Sequence, residues 1–348
     1  MEKHVVIDFL SLKESHLDFN KSFIKALPLQ YKDFKFIGNH SHAKHFNFKD
    51  SSILNKDNYI WQIRVLKLFF KLLFSHKKKI TVLAFENYIF PLLTLVFFPF
   101  FMGKQITLII HNNITSLALG GVKTAPFKLM VALLNIKLIC LTQSGKKKMD
   151  SLGFKKSTIF IPHMNYCHLE KERIEIDQGY PINKVNVALL GRHAHLFTMQ
   201  ISSKINLDGL NNIHFHIYSK NIKFPSSPGI SVYNKRLSVS DFKSVLSQCD
   251  YCLFPKQNAG YRPSGILLDC LSLSSPIIAP FEGHFSDFKH LKIGLFYNSI
   301  TELSSLILKL NNSPIKRSAY SLNEFKNAQN LTSIERFTAE LVNVYSDC

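Results

Sequence analysis

Residues 251–280 follow a pattern that few folds can accommodate. Two apolar runs, at residues 251–255 and 275–280, flank a polar loop and a helix-like segment that begins near Ser264. Strands joined through a helix are usually parallel, because an antiparallel pair needs only a tight turn between its strands. The segment therefore predicts a strand–loop–helix–strand unit of a parallel sheet.

The loop of this unit, residues 258–265, has the composition of an anion site. It combines two glycines, an arginine, a hydroxyl group and the start of a helix. Backbone N–H groups at a helix N-terminus point at a bound anion, and the helix dipole favours negative charge there. Glycine lets the backbone approach closely, and Arg262 offers a forked, charge-assisted contact. These features predict a diphosphate site, and an ordinary strand–helix connection is the alternative.

Strand-like and helix-like segments alternate through the whole chain of 348 residues, a length that suits two domains. We predict an α/β protein with two doubly wound, Rossmann-like parallel sheets. Strands are expected near residues 5–10, 34–38, 80–85, 106–111, 138–141, 159–163, 185–190, 213–218, 230–233, 251–255, 275–280 and 294–297. Helices are expected near residues 16–27, 59–75, 144–153, 240–249, 300–311 and 332–346.

The predicted domains follow from this alternation. Residues 1–165 form an N-terminal domain, and residues 184–330 form a C-terminal domain. Residues 166–183 lack hydrophobic periodicity and form the linker. Residues 331–348 form a C-terminal helix that is able to cross back to the N-terminal domain.

Cysteine and histidine usage favours a metal-free protein of a reducing compartment. Six cysteines are scattered without a disulfide framework, which favours the cytoplasm. Cys249 and Cys252 have CxxC spacing, but no second pair accompanies them, so buried thiols are preferred over a zinc or redox site. His40, His42 and His45 cluster within residues 39–58, where a polar, irregular loop is preferred over a metal site.

The formal net charge of +19 predicts a polyanionic partner. No nucleic-acid-binding signature accompanies the lysine runs, so an anionic membrane surface is preferred over nucleic acid. Residues 88–102 are the most apolar segment, but they are too short to span a bilayer and contain two prolines. The alternatives are a helix buried against the sheet and a helix in the membrane interface. Basic and apolar surface within residues 59–102 could meet an anionic membrane.

Several of these motifs resemble the GT-B glycosyltransferases, and in particular glycosyltransferase family 4 and its relatives. Phe254-Pro255 is similar to the end of the family's strand before the donor loop, and Ser264-Gly265 is similar to that loop. The four residues 268–271 match the start of the family's helix, and residues 275–279, Ser-Pro-Ile-Ile-Ala, match its next strand. The resemblance implies two Rossmann-like domains that face a cleft, with a nucleotide-sugar donor bound by the C-terminal domain.

The sequence departs from the family pattern at two positions. The first of two family glutamates falls on Tyr261, and the second falls on Asp269. Gly191-Arg192 matches a family pair that ends a strand, but the lysine that normally follows is missing. Arg262 and Lys256 are the residues that would replace the lost charge.

The resemblance and the strand-end positions together imply a set of site residues. Arg192, Arg262 and His111 are the candidate catalytic residues, and His16 and His111 lie on the acceptor side. Asp269, in the first turn of the loop's helix, is the ribose ligand by family position, with a helix-stabilising acid as the alternative. The donor-binding residues are Gly191, Arg192, Lys256, Arg262, Ser264, Gly265, Asp269 and Glu282.

Inverting glycosyl transfer also needs a general base near the acceptor hydroxyl, whereas retaining transfer does not. The candidates are Asp8, His16, Glu86 and His111, of which His111 has the best position after a predicted strand. The loss of the first family glutamate removes the usual marker of the retaining subgroup, so both stereochemical courses stay open.

We therefore expect a bacterial, cytoplasmic glycosyltransferase that lies on the inner face of the membrane. It would move a sugar from a nucleotide-diphosphate donor to a lipid-linked or polysaccharide acceptor in the synthesis of capsule, exopolysaccharide or lipopolysaccharide. No metal is expected, because cations and N–H groups can stabilise the departing diphosphate. The alternatives are a non-catalytic partner protein of the same fold in a polysaccharide assembly complex, and another GT-B enzyme such as a nucleotide-sugar epimerase.

Overall fold

The computed structural model divides the chain into two compact units. The first unit contains residues 1–166, 261–263 and 333–348, and the second contains residues 167–260 and 264–332. The structure describes residues 4–11, 16–28, 31, 33–39, 52–54, 61–75, 77–111, 113–165, 179–190, 196–197, 209–219, 228–235, 237–256 and 261–346. The three clustered histidines 40, 42 and 45, most of the predicted linker and the Gly191-Arg192 pair lie outside the described residues.

The described part of the first unit forms a seven-stranded parallel sheet. Its strands are β1 (His4–Asp8), β2 (Phe34–Asn39), β3 (Ser52–Leu54), β4 (Lys79–Ala84), β5 (Gln105–Ile110), β6 (Ile136–Cys140) and β7 (Thr158–Phe160), in the order β3-β2-β1-β4-β5-β6-β7. The chain leaves β1 toward β2 and β3 and then returns to place β4 on the other side of β1. The strand order therefore reverses between β1 and β4, which is the usual place for a ligand in such sheets.

Helices cover both faces of the first sheet. They are α1 (Leu17–Ala26), α2 (Trp61–Leu73), α3 (Ile89–Val96), α4 (Asn113–Leu119), α5 (Ala125–Leu133), α6 (Gln143–Met149) and α11 (Ile334–Ser346). On one face, α2, α3 and α5 bury Phe69, Phe90 and Phe127 against alternate strand residues such as Val82. On the other face, α1 and α11 enclose a second apolar cluster, because residues alternate between the two sides of each strand.

The last helix, α11, is fixed to the first sheet by buried polar contacts as well as by apolar packing. The hydroxyl group of Tyr345 hydrogen-bonds with that of Thr81, which in turn lies 2.8 Å from Nε2 of His4. Lys137 donates to the carbonyl oxygen of Val344 at 2.6 Å, and a cation at that end stabilises the helix dipole. The helix α11 is thus part of the first unit's core.

The described part of the second unit forms a six-stranded parallel sheet. Its strands are β8 (Val185–Leu190), β9 (Ile213–Tyr218), β10 (Ile230–Tyr233), β11 (Tyr251–Leu253), β12 (Ile277–Pro280) and β13 (Gly294–Tyr297), in the order β10-β9-β8-β11-β12-β13. Its order also reverses, between β8 and β11. A Cβ atom at position 294 would lie 2.1 Å from the carbonyl oxygen of Ile277, so β13 can pair with β12 only because Gly294 has none.

The helices of the second unit begin at residues whose side chains cap them. They are α7 (Val239–Gln248), α8 (Gly265–Ser272), α9 (Ile300–Asn312) and α10 (Leu322–Leu331). Ser238, Ser264, Ser299 and Ser321 each accept a hydrogen bond from a backbone N–H group of the first turn. Such caps satisfy N–H groups that have no partner within the helix.

The two doubly wound sheets confirm the predicted fold class. The predicted bounds of β8, β9, β10 and β13 are those of the structure. Three helices were not predicted, namely α4, α5 and α10, and the prediction that residues 39–58 are irregular was wrong where β3 forms. Among the described residues, no helix is both long enough and apolar enough to cross a membrane.

Candidate functional site

A cavity of about 280 Å³ lies at the carboxyl ends of β1, β4 and β5 in the first unit. It is at the point where the strand order reverses, as expected for a ligand site in a doubly wound sheet. Each of the three strands contributes the residues that immediately follow it. The lining residues are Leu10, Ser11, His16, Ala84, Phe85, Glu86, Asn87, His111, Asn113 and Ser116.

Two polar side chains of this cavity are buried without a partner among the described residues. They are Ser11, at its hydroxyl oxygen, and His111, at Nε2. Ser11 is 4% exposed and His111 is 7% exposed. A buried polar group without a hydrogen bond is costly, and such groups are commonly found where a ligand or ordered water supplies the partner. The cavity is therefore suited to a ligand that carries hydroxyl groups.

Three histidines, His16, His111 and His163, lie together at the cavity with edge-to-face ring contacts. The ring of His111 lies 5.1 Å from that of His16 and 6.2 Å from that of His163, and it also contacts Phe19 at 4.5 Å. Burial, with smaller contributions from His16, His163 and Arg262, holds the pKa of His111 well below its ordinary value. His111 is therefore neutral at physiological pH, and a neutral imidazole can accept a proton or a hydrogen bond.

His16 lines the same cavity from an unusual backbone conformation. His16 precedes α1 with a φ of 60°, in the left-handed region that residues other than glycine seldom adopt. Burial lowers the pKa of His16, the Asp8 carboxylate raises it, and the Arg262 charge lowers it. The structure thus brings together the two predicted acceptor-side residues, His16 and His111.

The two acidic base candidates are occupied by structural hydrogen bonds. The Asp8 carboxylate accepts from the N–H groups of Leu10 and Ser11 and from the Asn20 amide, at 2.7–3.1 Å. The Glu86 carboxylate accepts from the N–H groups of Tyr88 and Ile89, where it stabilises the start of α3. Both carboxylates therefore shape the loops around the cavity, whereas Nε2 of His111 has no partner among the described residues.

Buried neutral histidines predict that acid destabilises the fold. Burial lowers the pKa of His4 and His163 to about 4 and that of His216 to about 3. In the unfolded chain, these histidines bind a proton near pH 6.5. Their contribution to the free energy of unfolding is therefore complete above that pH and is lost as the pH drops toward 4. We expect the free energy of unfolding to fall by on the order of 1 kcal/mol per histidine for each pH unit below 6.

Urea denaturation at several pH values between 7.5 and 4.5 measures this effect. His216→Gln is the matched variant, because the amide can still meet Asn186, the partner of His216 Nε2 at 2.9 Å. In this variant, we expect the free energy of unfolding to fall less steeply with decreasing pH. The difference in slope should correspond to about one bound proton. Equal slopes for the variant and the wild type would contradict the prediction.

In the second unit, the helix α8 begins at the predicted donor loop. The Ser264 hydroxyl accepts from the N–H group of Leu267 at 3.3 Å, and the N–H group of Ser264 donates to Nδ1 of His284 at 3.0 Å. The amide can only donate, so Nδ1 of His284 carries no proton and Nε2 does. His284, which follows β12, thus helps to fix the start of α8.

Gly265 is the first residue of α8, and packing does not explain it. A Cβ atom there would meet no described atom within 4 Å, and its φ is not positive. The bare backbone therefore presents its N–H groups at a helix N-terminus without a side chain in the way, as a bound phosphate would require. The loop residues 257–260, which precede this point, lie outside the described residues.

Lys256 and Glu282 lie together beyond the carboxyl ends of β11 and β12. The Lys256 ammonium group is 3.6 Å from the Glu282 carboxylate and donates to the carbonyl oxygen of Asn298 at 2.8 Å. Both side chains are partly exposed, so this pair adds little to stability. The structure places the two predicted donor-side residues side by side, where either can turn toward a ligand.

The structure corrects the position of Asp269. The helix begins at Gly265, so Asp269 lies in the second turn and not in the first. An acid there is beyond the first turn, where the helix dipole acts most strongly. The alternative explanation, a helix-stabilising acid at the N-terminus, is therefore weakened.

Residues 261–263 belong to the first unit. The Thr142 hydroxyl donates to the carbonyl oxygen of Tyr261 at 3.1 Å and also accepts from the N–H group of Gly145 at the start of α6. The Lys148 ammonium group lies 6.0 Å from the centre of the Tyr261 ring. Tyr261, which stands where the family has a glutamate, is thus held by its backbone and its ring in this structure.

Sequence reasoning missed several residues of the two sites. Ser11 carries no motif, and it enters the cavity only because Asp8 turns the chain after β1. Asn87 and Asn113 are paired through their amides at 2.7 Å and join the loops after β4 and β5. The sequence indicated a role for His284 only through its position close to Glu282. The one general signal was position, because all these residues follow a strand or begin the next helix.

No protein-family model matches the chain, and no curated protein matches it. Solved structures do match it along its length. HepE from Anabaena in complex with UDP has a TM-score of 0.69 and 11% identity, and the match covers 99% of this chain and 100% of HepE. The structure of HepE in complex with UDP-glucose also has a TM-score of 0.69, with 10% identity over 99% of this chain and 100% of that chain.

Two further solved structures are similar. A glycosyltransferase from Rickettsia africae has a TM-score of 0.66 and 10% identity, over 99% of this chain and 98% of that chain. The UDP-GlcNAc 2-epimerase from Neisseria meningitidis, bound to UDP-GlcNAc, has a TM-score of 0.60 and 13% identity over 100% of both chains. Likeness at this level of identity is a likeness of fold, and membership of glycosyltransferase family 4 stays a prediction. The two doubly wound sheets and these structural neighbours show that the chain has the GT-B fold.

Proposed function

We propose that the protein is a glycosyltransferase that moves a sugar from a nucleotide-diphosphate donor to a hydroxyl group of a lipid-linked saccharide or a growing surface polysaccharide. The observation that carries this proposal is Nε2 of His111, which is buried without a partner among the described residues in the cavity at the strand-order reversal. It occurs in a fold whose solved neighbours include complexes with UDP and UDP-glucose. Uridine diphosphate sugars are therefore the first donors to test.

The second unit would bind the donor. The first N–H groups of α8, bared by Gly265, would hold the diphosphate, with Ser264 fixing the start of the helix. Lys256, Arg192 and Arg262 would supply positive charge, and Asp269 and Glu282 would contact the ribose and the transferred sugar. Oriented N–H groups and cations stabilise the departing diphosphate as its charge grows, so the proposal needs no metal.

The first unit would bind the acceptor. The Ser11 and His111 side chains would hydrogen-bond the reacting saccharide in the cavity. In an inverting reaction, His111 Nε2 takes the hydroxyl proton as the acceptor oxygen bonds to the anomeric carbon, and the bond from that carbon to the diphosphate oxygen breaks. In a retaining reaction, a diphosphate oxygen takes the proton, and His111 only orients the hydroxyl group.

A single substitution at Gly265 separates donor binding from folding. Gly265→Asp adds a carboxylate at the first position of α8, where a negative charge stabilises the free helix. We expect the melting temperature without ligand to stay the same or to rise. The stabilisation by a nucleotide diphosphate or its sugar should be lost, because the carboxylate repels the diphosphate. Thermal-shift assays with a panel of such nucleotides measure both effects.

Leu322→Asp is the matched control for this experiment. It adds the same charge at the first residue of α10, another helix of the second unit, at an exposed position. This control should keep the nucleotide-dependent shift. Arg262→Ala should reduce the shift without adding a negative charge. If no nucleotide stabilises the wild-type protein, or if Gly265→Asp keeps the shift, the donor site assigned to α8 is wrong.

Two other functions remain as alternatives. The epimerase structure favours a nucleotide-sugar 2-epimerase, which would convert a nucleotide sugar without an acceptor. Incubation of the donor alone, followed by NMR of the sugar, tests this reaction directly. A non-catalytic partner protein of a polysaccharide assembly complex would bind nucleotide but turn over neither the donor alone nor the donor with acceptor. The missing family glutamate and lysine support that alternative.

We also propose that the protein works at the cytoplasmic face of an anionic membrane, as a peripheral protein. The net charge of +19 and the apolar segments within residues 59–102 support this partner. A lipid-linked acceptor would be met at that surface, whereas the nucleotide sugar would come from the cytoplasm. The pathway that fits this arrangement is the synthesis of capsule, exopolysaccharide or lipopolysaccharide.

A further inference from the structure

Three helices of the first unit form one layer on a single face of its sheet. The helix α3 packs against α5 and against α2, and the rings of Phe70 and Phe97 lie 5.8 Å apart where α2 meets the end of α3. Their inner faces are buried in the same apolar cluster. The layer therefore has one continuous outer side, formed by the opposite faces of the same helices.

That outer side is apolar, which is unusual for helices that cover a sheet. Phe70, near the end of α2, and Phe74, directly after it, are four residues apart and both exposed, so they lie on one stripe. Exposed apolar side chains continue along the rest of the layer. They are Ile63, Leu66, Phe70, Phe74, Leu92, Val96, Phe100, Met102, Leu129 and Leu133, with Leu119 at the end of α4 and Val122 before α5. Apolar patches of this extent on a monomer commonly mark an interaction surface.

The charges of this region are mostly positive. The helices α2, α3 and α5 contain no acidic residue, and residues 58–150 contain thirteen lysines and arginines but only two acidic residues, Glu86 and Asp150, of which Asp150 pairs with Lys146. Lys67 and Lys128 are exposed beside the apolar side chains of α2 and α5. Glu86 is tied to the start of α3, where its carboxylate accepts two N–H groups. The surface thus combines apolar side chains with exposed lysines.

An anionic bilayer satisfies both properties at once. Leucine, valine and phenylalanine side chains can enter the acyl region, while the lysines meet lipid phosphates in the headgroup region. A second copy of this chain would place one basic face against another, which is unfavourable. A nucleic acid would meet the lysines, but aliphatic side chains such as those of Leu92 and Val96 offer its phosphates and base edges no contact.

We infer that the outer faces of α2, α3 and α5 dock on an anionic lipid bilayer. The cavity lies next to this surface, because Asn87 lines the cavity and Tyr88 and Ile89 begin α3 directly after it. A saccharide linked to a lipid of the same bilayer would have a short path to His111. The inference rests on the proposed function for the nature of this acceptor, but the docking surface itself does not depend on it.

Flotation of the full-length protein with lipid vesicles tests the docking surface. Vesicles of phosphatidylcholine alone are compared with vesicles that also contain phosphatidylglycerol. We expect binding to the anionic vesicles only. Val96→Asp should weaken this binding at least about tenfold, because it places a charge at the centre of the apolar face.

Leu322→Asp is again the matched control, because Leu322 and Val96 are both 65% exposed and the change in charge is the same. The control should bind within about twofold of the wild type, because general electrostatic attraction changes equally in both variants. Phe74→Asp, directly after α2, is a second variant in case Val96→Asp lowers the melting temperature. Val96→Asp and Phe74→Asp should both keep the nucleotide-dependent thermal shift. A loss of vesicle binding can then be distinguished from a loss of donor binding.

Three results would overturn the inference. They are a lack of flotation with anionic vesicles, equal binding by Val96→Asp and Leu322→Asp, and self-association of the wild type that Val96→Asp abolishes. The last result would assign the surface to a second copy of the chain. Binding to vesicles with and without phosphatidylglycerol alike would remove the role of the lysines and contradict the anionic partner.

Discussion

His111→Gln is expected to reduce glycosyl transfer by about two to four orders of magnitude. Glutamine preserves much of the side-chain volume and can still hydrogen-bond a hydroxyl group, but it cannot take a proton. Burial, with smaller contributions from His16, His163 and Arg262, lowers the pKa of His111 and keeps the imidazole neutral, which is the form that can accept a proton. The rate can be measured as release of nucleotide diphosphate from the donor that the thermal-shift panel identifies, with a bacterial membrane lipid extract as the source of acceptor.

The variant should keep the nucleotide-dependent thermal shift, because the donor is assigned to the start of α8 and to charged side chains, and not to His111. His214→Gln is the control, since His214 is a half-buried histidine of the second unit that pairs with Ser231. It should retain activity within about twofold. A loss of less than about fivefold for His111→Gln would show that His111 is not the general base and would favour the retaining course, in which the departing diphosphate takes the proton.

Arg317→Ala is expected to cost about 2–4 kcal/mol of unfolding free energy, because one guanidinium group joins the ends of two helices. Its two terminal nitrogens donate to the carbonyl oxygens of Leu246 and Ser247 at the end of α7 and to that of Leu273 after α8. A cation also complements the helix dipole at both of these ends. We expect the melting temperature of the second unit to fall by about 5–10 °C.

Calorimetry is the suitable measurement, because the two units can unfold in separate transitions. Arg336→Ala is the control, since Arg336 is exposed on α11 in the first unit, and its effect should stay within about 0.5 kcal/mol. Equal effects of the two substitutions would show that the contacts of Arg317 do not contribute to stability. A fall confined to the transition of the second unit is the expected result.

The fold was predictable because many of its strands are buried, mainly apolar runs between clear helix starts. Val185–Leu190 reads as a strand without any structure, because a parallel strand covered on both faces is an almost continuous apolar run. The short helix α4 and the polar helix α10 were missed for opposite reasons. The first has too few turns to show periodicity, and the second has only Phe325 and Ala328 buried.

The candidate site was less predictable, because it depends on loops that meet only in the folded chain. His111 could be singled out because it directly follows an apolar strand. Ser11 could not, since nothing in its neighbourhood indicates that the hydroxyl group is buried without a partner. The roles of Asp8 and Glu86 were equally hidden. Their carboxylates bind backbone N–H groups of their own loops, and a sequence does not distinguish such a carboxylate from a general base.

The position of α11 has a consequence for how the protein is made. Most of the first unit precedes the second in the chain, but Phe337, Leu341 and Tyr345 of its core follow the second unit and are synthesised after it. Until then, the apolar face that these side chains cover stays open to water, beside the partner residues Phe19 and Phe23. The first unit therefore cannot be finished before the second has been synthesised. A fragment that stops after residue 166 would be prone to aggregate, and adding residues 333–348 in trans is a direct way to rescue it.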